Sequence, residues 1–273
     1  MGLPQTIFVT GGTGFIGSHV VEELLNQGFA LRCAARASNK TTFFKNYYTS
    51  NYSANRFQVV DILDITTAQL GDVLRGVDAV IHLASPPGRA TAEEIYRGAV
   101  DGTLNILEQA KRAGVNRVVI TGMIQTGKLG VNTYIYQLIV PDGVYPFTGQ
   151  HVDVRDAAKA HVLALKSSSA SSSSNEKNQI GFVSPHLINS KQAVSLLAER
   201  RPALKSRLIK GEPPISGEEP FPCDYEKIEQ LLGFSGGDFT AVEETLLDTI
   251  DNYIELESRW IKDGHTVEIP HYD

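Results

Sequence analysis

Short apolar runs alternate with longer segments that repeat hydrophobic residues at helical spacing. Thr6–Val9 is apolar, and the segment after it places Ile16, Val20, Val21, Leu24 and Leu25 on one face of a helix. Ala30–Ala35, Phe57–Val60, Asp78–Leu83 and Arg117–Thr121 are further apolar runs of strand length. Helical patterns fall between them at 41–48, 66–75 and 92–113, the last carrying Ile95, Val100, Leu104, Ile106 and Leu107. Gly28 and Gly114 are natural helix stops. Strands separated by helices call for parallel pairing with helices on both faces, so the pattern predicts a doubly wound α/β sheet.

Beyond Val152 the pattern changes. A short strand at 151–154, a helix at 155–165 and a last sheet strand at 179–184 are expected. Between them 167–174 is almost pure serine and reads as a surface loop. Helices at 190–200 (capped by Ser190 and closed by Pro202), 225–232 and 240–258 then form a small C-terminal lobe. The division expected is 1–128 with 151–185 for the sheet domain and 129–150 with 186–273 for the lobe.

The first strand–helix junction carries the candidate chemistry. Thr10–Gly17 reads Thr-Gly-Gly-Thr-Gly-Phe-Ile-Gly. A glycine turn between a strand and a helix points backbone N–H groups and the positive end of the helix dipole at an anion such as a pyrophosphate. Gly11 permits the tight turn, Gly14 the approach of backbone to phosphate, and Gly17 close packing of helix on sheet. Glycine turns also arise for local reasons alone, but the flanking strand and helix favour a nucleotide.

Arg36 ends the second strand, and no Asp or Glu occurs from Phe29 to Ser50. An acidic residue at this place would accept from a ribose 2′-hydroxyl and repel a 2′-phosphate; Arg36, helped by Lys40, does the reverse and selects NADP(H). A solvated strand end is the alternative. His82 lies within an apolar run and reads as a core histidine rather than a catalyst.

The chain has 273 residues, 42% hydrophobic, with a net charge of −6. That is enough for one large core, or a large domain with a smaller lobe. The absence of a basic run argues against nucleic acid. Cys33 and Cys223 are far apart and form no disulfide framework. No leader pattern is recognised, and no apolar run approaches the ~20 residues that span a bilayer. The expectation is a cytoplasmic protein with no membrane contact and no metal site.

Together the glycine motif, Arg36, Asp61-Ile62, His82-Leu-Ala-Ser-Pro86, Gly98–Leu107, Val152–Val162 and Asp238–Thr245 resemble one branch of the extended short-chain dehydrogenases. That branch is the dihydroflavonol reductase, cinnamoyl-CoA reductase and yeast methylglyoxal reductase group of the NAD-dependent epimerase/dehydratase family. The resemblance implies a Rossmann fold and reduction of a small aldehyde or ketone by NADPH. It assigns cofactor contacts to Gly11, Thr13, Gly14, Phe15, Ile16, Gly17, Arg36, Lys40, Asp61, Ile62, Ala84, Ser85 and Thr121. Asp61 would accept from the adenine amine while Ile62 covers the ring; a strand-end carboxylate capping the next turn is the alternative.

The resemblance breaks at the catalytic residues. The family uses a Ser or Thr at the end of the fifth strand, and a Tyr and Lys spaced Tyr-x-x-x-Lys on the next helix. The Tyr protonates the alkoxide and the Lys lowers its pKa. Here the strand ends Thr121-Gly-Met123, with no hydroxyl after Thr121. None of the ten tyrosines has a lysine four residues on; Tyr52 has Arg56, before the third strand. The catalytic residues therefore stay unassigned.

Only 30 residues separate Thr121 from Val152. A strand, a helix and their loops take roughly that many by themselves. An internal deletion between about Gly122 and Val131 is inferred, with 131–139 resembling the helix that normally comes later. A skipped exon, a faulty gene model or a natural loss would each produce it; divergence with another Tyr in service is the alternative. The loss would leave the fifth strand at an edge and an apolar patch on helix 92–113. In relatives that helix helps form the dimer, so the family-type dimer is called into question. Three readings follow: an impaired reductase, a non-catalytic NADP(H)-binding protein, or an inert truncated product.

Overall fold

A computed structural model describes residues 5–36, 38–86, 91–122, 135–145, 149–167, 179–213 and 222–267. The chain divides into two compact units, 1–125 with 154–178 and 228–234, and 126–153 with 179–227 and 235–273. Residues 179–185, expected with the sheet, group with the second unit.

The first unit is built on five parallel strands, β1 (Thr6–Thr10), β2 (Ala30–Ala35), β3 (Phe57–Asp61), β4 (Ala79–His82) and β5 (Val118–Ile120), in the order β3-β2-β1-β4-β5. Alternation along the strands fills both faces. Ile7, Val9, Leu31, Cys33 and Ile81 join a core with α1 (Phe15–Asn26) and α2 (Asn39–Asn51). Phe8, Ala34 and Val80 join another with Leu70, Leu74 and Ile106 on the opposite face. The strand order reverses between β1 and β4, the place where open parallel sheets bind ligands.

The helix expected at 92–113 is one continuous rod with a wide turn in it: α3 (Ala92–Tyr96), a π turn (Arg97–Asp101) and α4 (Gly102–Arg112). Tyr96 and Leu104 are exposed on it, as is Ile120 on β5, which among the described residues pairs only with β4. The first unit is completed by α5 (Val154–Lys166), which packs on α1 and buries Ala158, Val162 and Leu165.

Three expectations are corrected. Residues 66–75 form turns, not a helix. Gly71 weakens a helix there, and side chains from α4 take the backbone groups instead. Asn105 donates to the Ile65 and Ala68 carbonyls, and Gln109 accepts from Leu70 N and donates to Ala68 O. Residues 179–184 are not a strand: Ser184 N donates to His151 O at 2.7 Å, and the Cys223 thiol donates to Gly181 O. Residues 151–153 are extended without a ladder, and helix begins at Val154.

The second unit gathers α6 (Ser190–Arg200) and α8 (Val242–Lys262) around Leu138, Ile139, Leu197, Leu246 and Ile250. Asn189, not Ser190, caps α6 by accepting from Gln192 N. A further helix, α7, spans Tyr225–Leu232. The inferred deletion point, residues 131–134 and the serine run after 167 lie outside the described residues; of the expected helix at 131–139, residues 135–137 are helical and 138–139 form a turn. Among the described residues no helix is long and apolar enough to cross a membrane.

Candidate dinucleotide site

The turn after β1 is held by its glycines. Gly11 has φ +74°, and a Cβ there would lie 2.6 Å from Ala84 N, so the two turns touch backbone to backbone. Gly14 N donates to Gly11 O at 2.8 Å, and Gly14 becomes the N-cap of α1. No side chain caps that helix, and its first turn holds no acidic residue. The first N–H groups of α1 are therefore left for an anion, which the helix dipole favours. A Cβ on Gly17 would collide with the Gly11 carbonyl oxygen, so the helix reaches this depth only with glycine. Thr13 and Ile16 are half-buried, and Phe15 is 61% exposed.

The carboxyl ends of the neighbouring strands bring most of the other expected residues alongside. Ala35 pairs with Asp61, and Ile62 N donates to Ala35 O at 2.9 Å, so Arg36 adjoins the Asp61-Ile62 step. Arg36 is exposed, and its guanidinium has no hydrogen-bond partner among the described residues. Its backbone carbonyl accepts from the Thr41 hydroxyl, which ties it to the start of α2, where Lys40 is exposed in the first turn. Arg32 is engaged elsewhere, donating to the Val73 and Arg75 carbonyls.

Asp61 is exposed. Ile62 is 8% exposed and belongs to the core, which leaves little side-chain surface for an adenine ring. Both residues help line a pocket of about 360 Å³ together with Leu63, Asp64 and Thr67, and no residue of the glycine turn lines it. Asp64 there is held below the usual carboxylate range by hydrogen bonds from Thr66, with Arg97 adding to the effect.

On the other side of β1, Ala84 is half-buried and Ser85 exposed. His82 behaves as the core residue expected, with Nδ1 2.6 Å from Thr10 Oγ1 and Nε2 3.2 Å from Thr103 Oγ1. Burial pushes its pKa down. Thr121 N donates to His82 O at 3.0 Å. The Thr121 hydroxyl is 2.6 Å from His161 Nε2, and His161 Nδ1 is 2.6 Å from the Ala157 carbonyl. A carbonyl only accepts, so Nδ1 carries the proton, Nε2 accepts, and Thr121 spends its proton on His161. That partnership was not legible in the sequence, where 40 residues separate the two.

Neither Tyr136 nor Tyr145 resembles a tuned proton donor. Tyr136 donates to Glu257, which also receives two hydrogen bonds from Arg207 at 2.7 Å. Burial and then Glu257 push its pKa up to about 12, the wrong direction for an acid activated by lysine. Tyr145 donates to Gly211 O, and its pKa is also raised, chiefly by burial. Among the described residues no group of three or more His, Cys, Asp or Glu could hold a metal.

A parallel sheet with an uncapped glycine-rich helix start at its switch point is the architecture of a dinucleotide-binding protein. Residues 7–123 match the model of the NAD dependent epimerase/dehydratase family. Among curated relatives, a putative oxidoreductase of Saccharomyces cerevisiae is 23% identical, covering 93% of this chain and 98% of the yeast protein. That alignment has 354 positions, so roughly a hundred have no residue of this 273-residue chain opposite them. Cinnamoyl-CoA reductase 2 of Medicago truncatula is 35% identical over 133 residues, 47% of this chain but only 38% of that enzyme. The crystal structure of the yeast methylglyoxal/isovaleraldehyde reductase Gre2 with NADPH superposes with a TM-score of 0.71 at 20% identity, over 93% of this chain and 100% of Gre2, and shows the same fold.

Proposed function

We propose that this chain binds NADP(H) across the carboxyl ends of β3, β2, β1 and β4 as an oxidoreductase of the reductase branch, acting on a small flavanone-, cinnamoyl- or methylglyoxal-type carbonyl. The observation that carries the reading is the pairing of an uncapped glycine-turn helix with a guanidinium, Arg36, that no described protein group engages. The residues fit the cofactor: the α1 amides suit the pyrophosphate, and Arg36 with Lys40 suits a 2′-phosphate. The bound dinucleotide would supply the hydride. The second unit would contribute the substrate lobe.

Turnover in this reading is slow. Thr121 is spent on His161 and Tyr136 on Glu257, so neither hydroxyl is free to protonate the alkoxide. Loss of acid assistance costs about 10²–10⁴-fold in rate. The surplus of positions in the yeast relative supports an internal loss in this chain. The second reading, a non-catalytic NADP(H)-binding protein, is favoured by the ten tyrosines without a lysine four residues on.

Titration of the purified chain with NADPH, followed by nicotinamide fluorescence with NADH as comparison, tests the binding. Selective NADPH binding is expected; failure of either dinucleotide to bind refutes the proposal. Turnover of a carbonyl panel then separates the two readings, with slow NADPH oxidation expected for the first and none for the second.

A further inference from the structure

Thr10 and His82 face each other at the ends of β1 and β4, paired in register and 1% and 2% exposed. Their backbones lead directly into the two turns that flank the proposed cofactor. The Thr10 hydroxyl has two contacts. It accepts from Ala84 N at 3.2 Å and lies 2.6 Å from His82 Nδ1. The other imidazole nitrogen, Nε2, lies 3.2 Å from Thr103 Oγ1 at the start of α4.

A hydroxyl has one proton, and an imidazole that is neutral has one N–H. If Nδ1 carried that proton it would donate to Thr10, which already receives Ala84 N–H, and the Thr10 proton would have no acceptor in this group. With the proton on Nε2, each group is satisfied: Nε2–H donates to Thr103, Thr10 O–H donates to Nδ1, and Ala84 N–H donates to Thr10. Burial favours the neutral ring this requires. A Cβ on Gly11 would lie within 2.9 Å of the Leu83–Ala84 peptide, so there is no room for a side chain between the turns.

We propose that His82 is a positioning residue: as the Nε2–H tautomer it aims the Thr10 hydroxyl so that the Gly11–Gly14 and Leu83–Pro86 turns are locked at one spacing and form a single cradle for the dinucleotide. The inference rests on the NADP(H) reading of those turns. His82 touches no cofactor in this scheme and transfers no proton. Its effect passes through Thr10 to the Ala84 amide.

The test needs the full chain and three measurements. The ¹⁵N shifts of His82 in the unmodified protein at pH 7 should show a neutral Nε2–H ring; an Nδ1–H tautomer or an imidazolium overturns the proposal. Amide exchange at Ala84 in the cofactor-free protein should be at least tenfold faster in Thr10→Val and His82→Leu. It should stay near wild type in His82→Asn, whose side-chain oxygen can take the place of Nδ1. Equal exchange in all four proteins overturns it. NADPH dissociation constants should follow the same ranking, rising about fivefold to tenfold in Thr10→Val and His82→Leu and about twofold or less in His82→Asn, as loss of one buried hydrogen bond requires. If the unmodified protein binds neither dinucleotide, the functional reading fails. The first two measurements still decide whether His82 holds the turns.

Discussion

Replacing Gly17 with alanine should uncouple α1 from the sheet. Gly17 is buried, and its missing Cβ would sit 2.8 Å from Gly11 C and 2.9 Å from Gly12 Cα, with the Gly11 carbonyl oxygen closer still. These are backbone atoms of a turn pinned by the Gly14-to-Gly11 hydrogen bond and by Ala84, so no flexible side chain can yield. Relief requires α1 to move out by the better part of an ångström, which loosens Val20, Val21 and Leu24, all fully buried. Overpacking of this kind costs about 3 kcal/mol, the upper end of its usual range. For a domain of this size that lowers the unfolding midpoint by roughly 6–12 °C. The displaced helix also carries its N–H groups away from the phosphate position, so NADPH affinity should fall at least tenfold. Gly14→Ala is the control. Its φ of −77° suits any residue, and a Cβ meets only Gly11 O at 3.0 Å, so the midpoint should move by less than about 3 °C. Thermal unfolding followed by circular dichroism reads both. A Gly17→Ala protein that melts with the wild type would refute the packing argument.

Other outcomes follow from the same structure. Arg36→Asp should invert the preference from NADPH toward NADH in the fluorescence titration; an unchanged preference removes Arg36 from the cofactor assignment. His82 and His161 are both held below the ordinary imidazole pKa by burial, so the unfolded chain takes up protons before the native one does. Stability is then full above about pH 6.5 and declines as the pH falls through and below that value, and urea midpoints at pH 7.5 and 5.5 should show it. Arg207 holds the Glu257 carboxyl below its usual range, which stabilises the fold above about pH 4.5 and is lost as the pH falls through the native pKa. Glu257→Gln should lower stability at neutral pH and flatten that acid limb, an outcome denied if the two profiles run parallel. Ile120→Lys places a charge on exposed Ile120 of β5, the outer strand of the sheet among the described residues, and should reduce aggregation on heating, read by light scattering.

The chain's own pattern determined a great deal. The apolar run, glycine turn and amphipathic helix of 6–26 are local, and each part needs only its neighbours to be recognised. Each of the five described strands falls on a continuous apolar run, so all five were legible, as were the stops at Gly28 and Gly114, both at positive φ. The absence of any tyrosine–lysine pair is likewise a property of the sequence alone.

Tertiary structure decided what depends on partners distant along the chain. Residues 66–75 have helical spacing, yet Asn105 and Gln109 of α4 satisfy their backbone from outside and turns result. Arg32 and Arg36 look alike in the sequence, but only the fold spends Arg32 on two carbonyls and leaves Arg36 exposed. The segment 179–184 has strand composition, but a strand exists only where a ladder receives it, and its amide at Ser184 finds His151 instead. The commitments of Thr121 to His161, Tyr136 to Glu257, and Thr10 to His82 span from 40 to 121 residues. Hydrogen-bond partners at such separations are fixed by packing, because a periodic pattern records which face is buried but not which group it will meet there.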